Sequence, residues 1–275
     1  MVPHSIWSFK MRLSVFGCGN MGSAVVRAIR ENEPALEILT YSPSGSSAQK
    51  LAKAVKGFQQ GQIKSMFPCD VALLAMKPQQ LETFIDQTAE LFTPQTVIVS
   101  LLAGVDIATL QSKLNSDQVL RLMPNTPTLV GKGIITYAAS SEMKRDSLSK
   151  ILSWLTSSAK IFKMKDEDQL NRTMGVSASG PGLLFELALL FYKKLMADGL
   201  TDKDARLMVA ELFAGSGELM LGSVESFEEL RNNVTSKGGV TEASLQVLSS
   251  NNQFASLIDQ ALEANYRRSQ ELLIK

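Results

Sequence analysis

A chain of 275 residues is long enough to bury a sizeable core, and two domains are expected. A hydrophobic share of 45% and a charged share of 20% are ordinary for a globular protein, and the net charge of +1 argues against a nucleic-acid binder. No apolar run reads as long enough to span a bilayer, so no membrane partner is expected.

The opening MVPHSIWSFK reads as a leader, without the apolar stretch and cleavage site of a signal peptide. It carries His4, the only histidine, which disfavours Ser-His-Asp and Cys-His enzymes and His-ligated metal sites. The first strand is expected over Leu13–Phe16, followed by G-x-G-x-x-G at Gly17, Gly19 and Gly22 and an amphipathic helix. Between a strand and a helix this spacing is a dinucleotide signature. Gly17 allows a tight turn, Gly19 lets the backbone approach a pyrophosphate, and Gly22 brings helix and strand together. With Asn20 and Met21 they form the candidate phosphate cradle, where free N–H groups and the helix dipole face the anion. The same motif also reads as a plain glycine-rich turn. Cys18 inside it reads as a small filler. Cys18 and Cys69 make neither a disulfide framework nor a metal spacing, so a reducing cytoplasm is expected.

A second strand, Leu36–Ser42, ends on Tyr41-Ser42-Pro43-Ser44 rather than on the carboxylate that would bind a ribose diol. Ser42 and the hydroxyls after it favour NADP(H), with NAD(H) as the alternative. They also suit a turn and a helix cap. A buried strand at Val71–Ala75 leads into Lys77-Pro78, and another at Val97–Ser100 into Ala103-Gly104. Ala75, Lys77, Pro78, Ala103 and Gly104 therefore join the candidate cofactor residues at the carboxyl edge of the sheet. Two strands flank the bend Pro124-Asn125-Thr126-Pro127, where Arg121 and Asn125 read as structural. A further helix and strand end near Lys163. The alternation predicts a doubly wound, Rossmann-type α/β domain over 1–163, with parallel strands and right-handed crossovers.

From about Met164 the pattern turns helical, giving an all-α domain over 164–275 for substrate binding and dimerisation. The helix in PGLLFELALLFYKKLMADG is apolar around much of its circumference, which suits burial against another subunit. A compact monomeric bundle would show the same stripes. Near the end stands VTSKGGVTEAS, with Gly238 and Gly239 opening a helix between hydroxyls. Such a helix start can hold a carboxylate on its N–H groups, or it can be an ordinary start capped by Thr235 or Ser236. Lys237 either attracts that carboxylate or points into solvent.

Taken in order, FGCGNMGSA, AMKPQ, LAGV, RLMPNTP, SASGPG, ADGL and LRNNVTSKGGVTEASLQVL resemble the pyrroline-5-carboxylate reductase family from about Met11 to Leu273. The resemblance implies NAD(P)H-dependent reduction of a cyclic imine to proline, by a homodimer or a higher oligomer built on dimers. It implies substrate binding by Ser236, Gly238, Gly239 and Thr241, with Thr241 facing the ring nitrogen as the catalytic candidate. Hydride transfer to a protonated imine needs no histidine and places the reaction between domains or subunits. The chain departs from the family at Lys237, usually proline, at Val240, usually small or threonine, and at Ala178, Gly182 and Leu183. These departures bear on which imine is reduced. A hydroxyacid dehydrogenase is the nearest rival, but it would need a lysine early on the helix after the boundary, and Lys193 and Lys194 stand far along it. A non-catalytic NADP(H)-binding paralogue would have no use for Ser236, Gly238, Gly239 and Thr241 together.

Overall fold

The computed structural model describes residues 11–272, so the leader and His4 lie outside the described residues. Strand β1 (Arg12–Phe16) runs into α1 (Asn20–Asn32), followed by β2 (Glu37–Tyr41), α2 (Ser46–Val55) and the two-residue β3 (Phe58–Gln59). The alternation continues with β4 (Val71–Leu74), α3 (Leu81–Thr88), β5 (Val97–Ser100), α4 (Ile107–Lys113), β6 (Val119–Pro124), β7 (Gly133–Ala139), α5 (Arg145–Ser153) and β8 (Ala159–Lys163). The sheet order is β3-β2-β1-β4-β5-β6-β7-β8. The chain winds outward in both directions from β1 and β4, so the crevice beyond their carboxyl ends is the topological switch point.

Strand parity divides the core. Leu13, Val15, Val71, Leu73 and Val99 face one side with Trp154 of the α5–β8 turn, while Phe16, Leu74 and Ile98 face the other with Phe84. Both faces are covered, which is why these strands read as continuous apolar runs. Phe16 and Phe84 meet edge to face with ring centroids 4.9 Å apart.

Two details differ from the sequence reading. First, the strands are not all parallel. β7 pairs antiparallel with β6, Leu122 opposite Tyr137, and β8 then runs parallel to β7. Only the short 3-10 turn Thr126–Val130 separates β6 from β7, and a parallel crossover needs about a dozen residues. Second, β3 pairs through Leu39 and Phe58 in a segment without strand-like periodicity.

After β8 comes α6 (Glu167–Ser177), whose Leu170 and Met174 join the Phe16 side of the core. Packing divides the chain into one unit running up to Ser179 together with Asn265 onward, and a second unit, Gly180–Ala264. The strand pattern stops at Lys163, but α6 packs on the sheet, so the division by packing lies beyond it. Within the first unit, Tyr266 donates to Asp168 at 2.6 Å, Arg172 donates to Tyr266 at 3.1 Å, and Asn265 donates to Ser179 at 2.9 Å.

The second unit holds α7 (Gly180–Ala197), α8 (Asp202–Gly222), α9 (Phe227–Asn233), α10 (Val240–Ser249) and the first part of α11 (Gln253–Glu271). α7 ends where Gly199 takes a φ of 92° and the N–H of Leu200 returns to the carbonyl of Leu195 at 3.1 Å. Of residues 180–264 only Pro181, Ala205 and Val209 are buried in the single chain. Leu184, Phe185 and Leu190 of α7 are more than half exposed. One stretch, Glu167–Ala197, is long and apolar enough to cross a membrane by length and composition, which corrects the sequence reading on that point. It is broken at Ala178 and Ser179, and α7 itself carries Glu186, Lys193 and Lys194.

Candidate active site

Two features of the first unit meet the requirements of a dinucleotide site. The first is the turn from β1 into α1. Gly17 has a φ of 93°, and a Cβ there would lie 2.3 Å from the backbone nitrogen of Met76. Its N–H donates to the carbonyl of Tyr41 at 3.0 Å, so the turn is tied to the neighbouring strand ends. A Cβ on Gly22 would fall 2.8 Å from that of Ala75, as close helix–strand packing demands. Gly19 differs, because a Cβ there would meet nothing within 4 Å. Gly19 is also the N-cap of α1 and caps it with no side chain. The N–H groups of Asn20 and Met21 therefore stand without a side-chain cap at the positive end of a thirteen-residue helix, with Gly22 buried behind them. These observations fit a pyrophosphate.

The second feature is a cavity of about 270 Å³ beside that turn, walled by Phe16, Tyr41, Pro43, Ile63, Met76 and Thr83 among others. An apolar slot next to an anion cradle fits the flat adenine of a dinucleotide.

The remaining cofactor candidates are placed as follows. Ser42 is buried, and its hydroxyl accepts from Ser47 Oγ at 2.9 Å and from the N–H of Ala48 at 3.2 Å. It builds the start of α2. Ser44 and Ser46 are exposed, with hydroxyls 3.2 Å apart. Ala75 borders the Gly17–Gly22 turn. Lys77 is exposed, Pro78 follows it, and the Lys77 N–H donates to Gln80 Oε1 at 3.1 Å. Ala103 is half-buried in the β5–α4 turn. Gly104 has a φ of 73°, and a Cβ there would lie 2.3 Å from the carbonyl oxygen of Leu272, so the end of the chain packs on this turn. Cys18 is buried, and burial pushes its thiol up to about 11. A neutral thiol of this kind fills space.

Arg121 and Asn125 are structural. The Arg121 side chain is fully buried and paired with Glu167, whose two carboxylate oxygens each accept the N–H of Ile107 at 3.1 Å. Asn125 donates to the carbonyl of Ser177 at 2.9 Å and accepts the N–H of Ile134 at 2.9 Å, fixing the β6–β7 bend.

In the second unit, Thr235 closes α9 by donating to the carbonyl of Arg231 at 2.6 Å. Residues 236–239 form a turn in which the N–H of Gly239 donates to the carbonyl of Ser236 at 2.9 Å. Gly238, at the third position, has a φ of 74°, a value that side chains resist. A Cβ on Gly239 would meet the carbonyl oxygen of Ser236 at 2.9 Å. Both glycines are thus required by the backbone. The N-cap of α10 is Gly239, with no side-chain cap, so neither Thr235 nor Ser236 fills that place. The N–H groups of Val240, Thr241 and Glu242 are left open, and Thr241 is half-buried beside them. Lys237 is exposed. Sequence reasoning missed Glu242, whose Oε2 accepts the N–H of Gly238 at 2.7 Å. A glutamate in the first turn of a helix opening is the signal that could have found it.

The family model described as pyrroline-5-carboxylate reductase dimerisation matches residues 167–272. The model described as NADP oxidoreductase, coenzyme F420-dependent, matches residues 12–104. The pyrroline-5-carboxylate reductase of Synechocystis is 30% identical over 266 residues, covering 95% of this chain and 98% of the relative. That of Pseudomonas aeruginosa is 29% identical over 264 residues, covering 95% and 96%. Among solved structures, the pyrroline carboxylate reductase of Plasmodium falciparum with NADP bound superposes with a TM-score of 0.84 at 21% identity, covering 96% of this chain and 98% of that one. The Coxiella burnetii pyrroline-5-carboxylate reductase also gives 0.84, at 24% identity, covering 97% and 100%.

Proposed function

The chain belongs to the pyrroline-5-carboxylate reductase family, and we propose that it reduces pyrroline-5-carboxylate to proline with NADPH as the preferred reductant. The observation that carries the substrate is the opening of α10. Three N–H groups, uncapped at the positive end of a helix, offer one carboxylate several charge-assisted hydrogen bonds. Pyrroline-5-carboxylate has one carboxylate and one ring nitrogen. With the first held by Val240, Thr241 and Glu242, the Thr241 hydroxyl is the group available to the second.

The residues of the first unit fit a dinucleotide. The uncapped N–H groups of Asn20 and Met21 hold the pyrophosphate, with Gly22 packed behind them, and the slot beside Tyr41 and Pro43 takes the adenine. Ser44 and Ser46 offer hydroxyls to a 2′-phosphate, and no carboxylate ends β2 to repel it. The bound nicotinamide supplies the hydride. The protein's own contribution is orientation, and the Thr241 hydroxyl oxygen accepts the hydrogen bond of the protonated imine nitrogen and so fixes the ring.

We read the assembly as a homodimer or an oligomer of dimers. A second copy covers the apolar surface of α7, which the single chain leaves open. The two free cysteines, Cys18 and Cys69, fit a cytoplasmic enzyme.

NADPH oxidation by the purified protein with pyrroline-5-carboxylate tests the reading, run beside NADH and beside Thr241→Ala. Turnover with NADPH that falls about a hundredfold or more in kcat/KM on mutation supports it. NADPH binding without turnover rejects the substrate.

A further inference from the structure

Most backbone donors at the opening of α10 fall to a local backbone bond or to the proposed carboxylate. The N–H of Gly239 closes its turn on Ser236. The N–H groups of Val240, Thr241 and Glu242 are open. The N–H of Gly238 belongs to neither set. It points out of the turn and is taken by the side chain of Glu242, four residues ahead, at 2.7 Å.

We propose that Glu242 is a positioning residue for the reaction. Its carboxylate locks the Lys237–Gly238 peptide so that the helix offers three donors in one fixed geometry. The inference rests on the reading of α10 as the carboxylate site. A turn with a positive φ at its third position differs from the common turn by rotation of its central peptide. Here that peptide carries the N–H of Gly238. Without an acceptor for it, the peptide is free to rotate, and Ser236 and Gly239 shift with it. The carbonyl of Ser236 accepts the N–H of Gly239 at 2.9 Å, so the two ends of the turn are tied to each other. Releasing the peptide therefore disturbs the N-cap, and through it the direction of all three open N–H groups.

The charge matters as well. Glu242 lies in the first helical turn, where a negative group is favoured by the dipole. Held on Gly238, the carboxylate is anchored away from the three open donors. Released, it becomes a mobile anion one turn from the substrate carboxylate and competes for the same N–H groups. Both effects act on carboxylate binding in ground state and transition state alike. They belong in KM and not in kcat.

Glu242→Ala and Glu242→Gln separate this role from a merely structural one. The alanine variant has no acceptor for Gly238, whereas the glutamine amide oxygen can still accept that N–H. In steady-state assays with NADPH, Glu242→Ala is expected to raise KM for pyrroline-5-carboxylate roughly tenfold with kcat within about twofold, and Glu242→Gln to recover most of the loss. KM for NADPH should not move in either. An unchanged substrate KM in Glu242→Ala, or equal losses of kcat and KM in both variants, overturns the positioning role. Wild-type protein that does not turn over pyrroline-5-carboxylate overturns the reading beneath it as well. A thermal melt of each variant identifies a fold lost outright. Where Glu242→Ala is the one that does not fold, proline protection of the folded Glu242→Gln protein against heat replaces kinetics, and no protection counts against the proposal.

Discussion

A Cβ on Gly17 would stand 2.3 Å from the backbone nitrogen of Met76, and the turn after β1 has nowhere to retreat. Its N–H is bonded to Tyr41, its φ is 93°, and β4 lies against it in the sheet. Gly17→Ala should therefore cost several kcal/mol, roughly 3 or more, through a backbone clash together with an unfavourable φ. Thermal denaturation reads this directly. Gly19→Ala makes the opposite prediction, because the space around that position is empty. Its melting temperature should stay within a few degrees of wild type, while KM for NADPH rises at least tenfold as the methyl group enters the pyrophosphate position. Equal behaviour of the two variants would remove Gly19 from the cofactor site.

Cofactor choice depends on the stretch after Tyr41. Ser42 is committed to α2, so discrimination falls to the exposed Ser44 and Ser46. Ser46→Glu places a carboxylate at the first position of α2, which the helix dipole welcomes, so the fold is expected to hold. The same charge repels a 2′-phosphate and suits a ribose diol. The ratio of kcat/KM for NADPH over NADH should drop by roughly tenfold to a hundredfold. A ratio that does not change would place the 2′-phosphate elsewhere.

Glu167 does two tasks at once: it neutralises the fully buried Arg121 and accepts the N–H of Ile107 at the start of α4. Glu167→Gln leaves a buried guanidinium without its counter-charge. The expected loss is about 3–5 kcal/mol in chemical denaturation. Arg121→Met together with Glu167→Gln removes the uncompensated charge and should recover part of that loss, so a double-mutant cycle reads the coupling. In protein that remains folded, KM for NADPH should be close to wild type, since neither side chain reaches the Gly17–Gly22 turn.

Much of this architecture is legible in the chain. The parity of Leu13 and Val15 against Phe16, the glycine spacing after them and the break in strand signal after Lys163 each follow from local rules. What escapes is set by partners distant in sequence. The direction of β7 depends on how little chain lies between Pro124 and Gly133. The fate of Ser42 depends on where Ala48 and Ser47 turn back toward it. Nothing near Gly104 in the chain announces that Leu272 packs against it, some 170 residues later. Glu242 was hidden for the reverse reason: a first-turn glutamate normally serves the N-cap, and here it serves the residue before.

The buried Cys18 thiol and the partly buried Cys69 thiol predict a pH dependence. Burial pushes Cys69 up to about 12 and Cys18 up to about 11. Each folded value lies above that of the unfolded chain, so the folded state holds its thiol protons longer. The associated stability is complete below the unfolded thiol range and is lost as pH rises through it toward 11 and 12. Between pH 8 and 10.5 the stability difference between wild type and Cys69→Ala should shift against wild type by on the order of 2 kcal/mol. Urea titrations at three or four pH values would show it. A flat difference would mean that Cys69 is open to solvent. The burial of Cys18 predicts its slow alkylation in native protein at neutral pH.

A helix that is apolar on most of its surface must be covered, yet Leu184, Phe185 and Leu190 of α7 are more than half exposed in the single chain. Few residues of 180–264 are buried at all. An isolated unit with so little core would not hold its helices, and the region coincides with the match to a dimerisation model. If a second copy supplies the cover, Phe185→Glu puts a charge into a desolvated interface and should shift the protein from dimer toward monomer in light scattering. The monomer should lose turnover and helical content from the second unit. It should still bind NADPH, because the Gly17–Gly22 turn and the slot beside Tyr41 belong to the first unit, whose core is its own. A Phe185→Glu protein that remains dimeric with full activity would place the interface on another helix. One that loses NADPH binding together with assembly would show that the first unit does not stand alone.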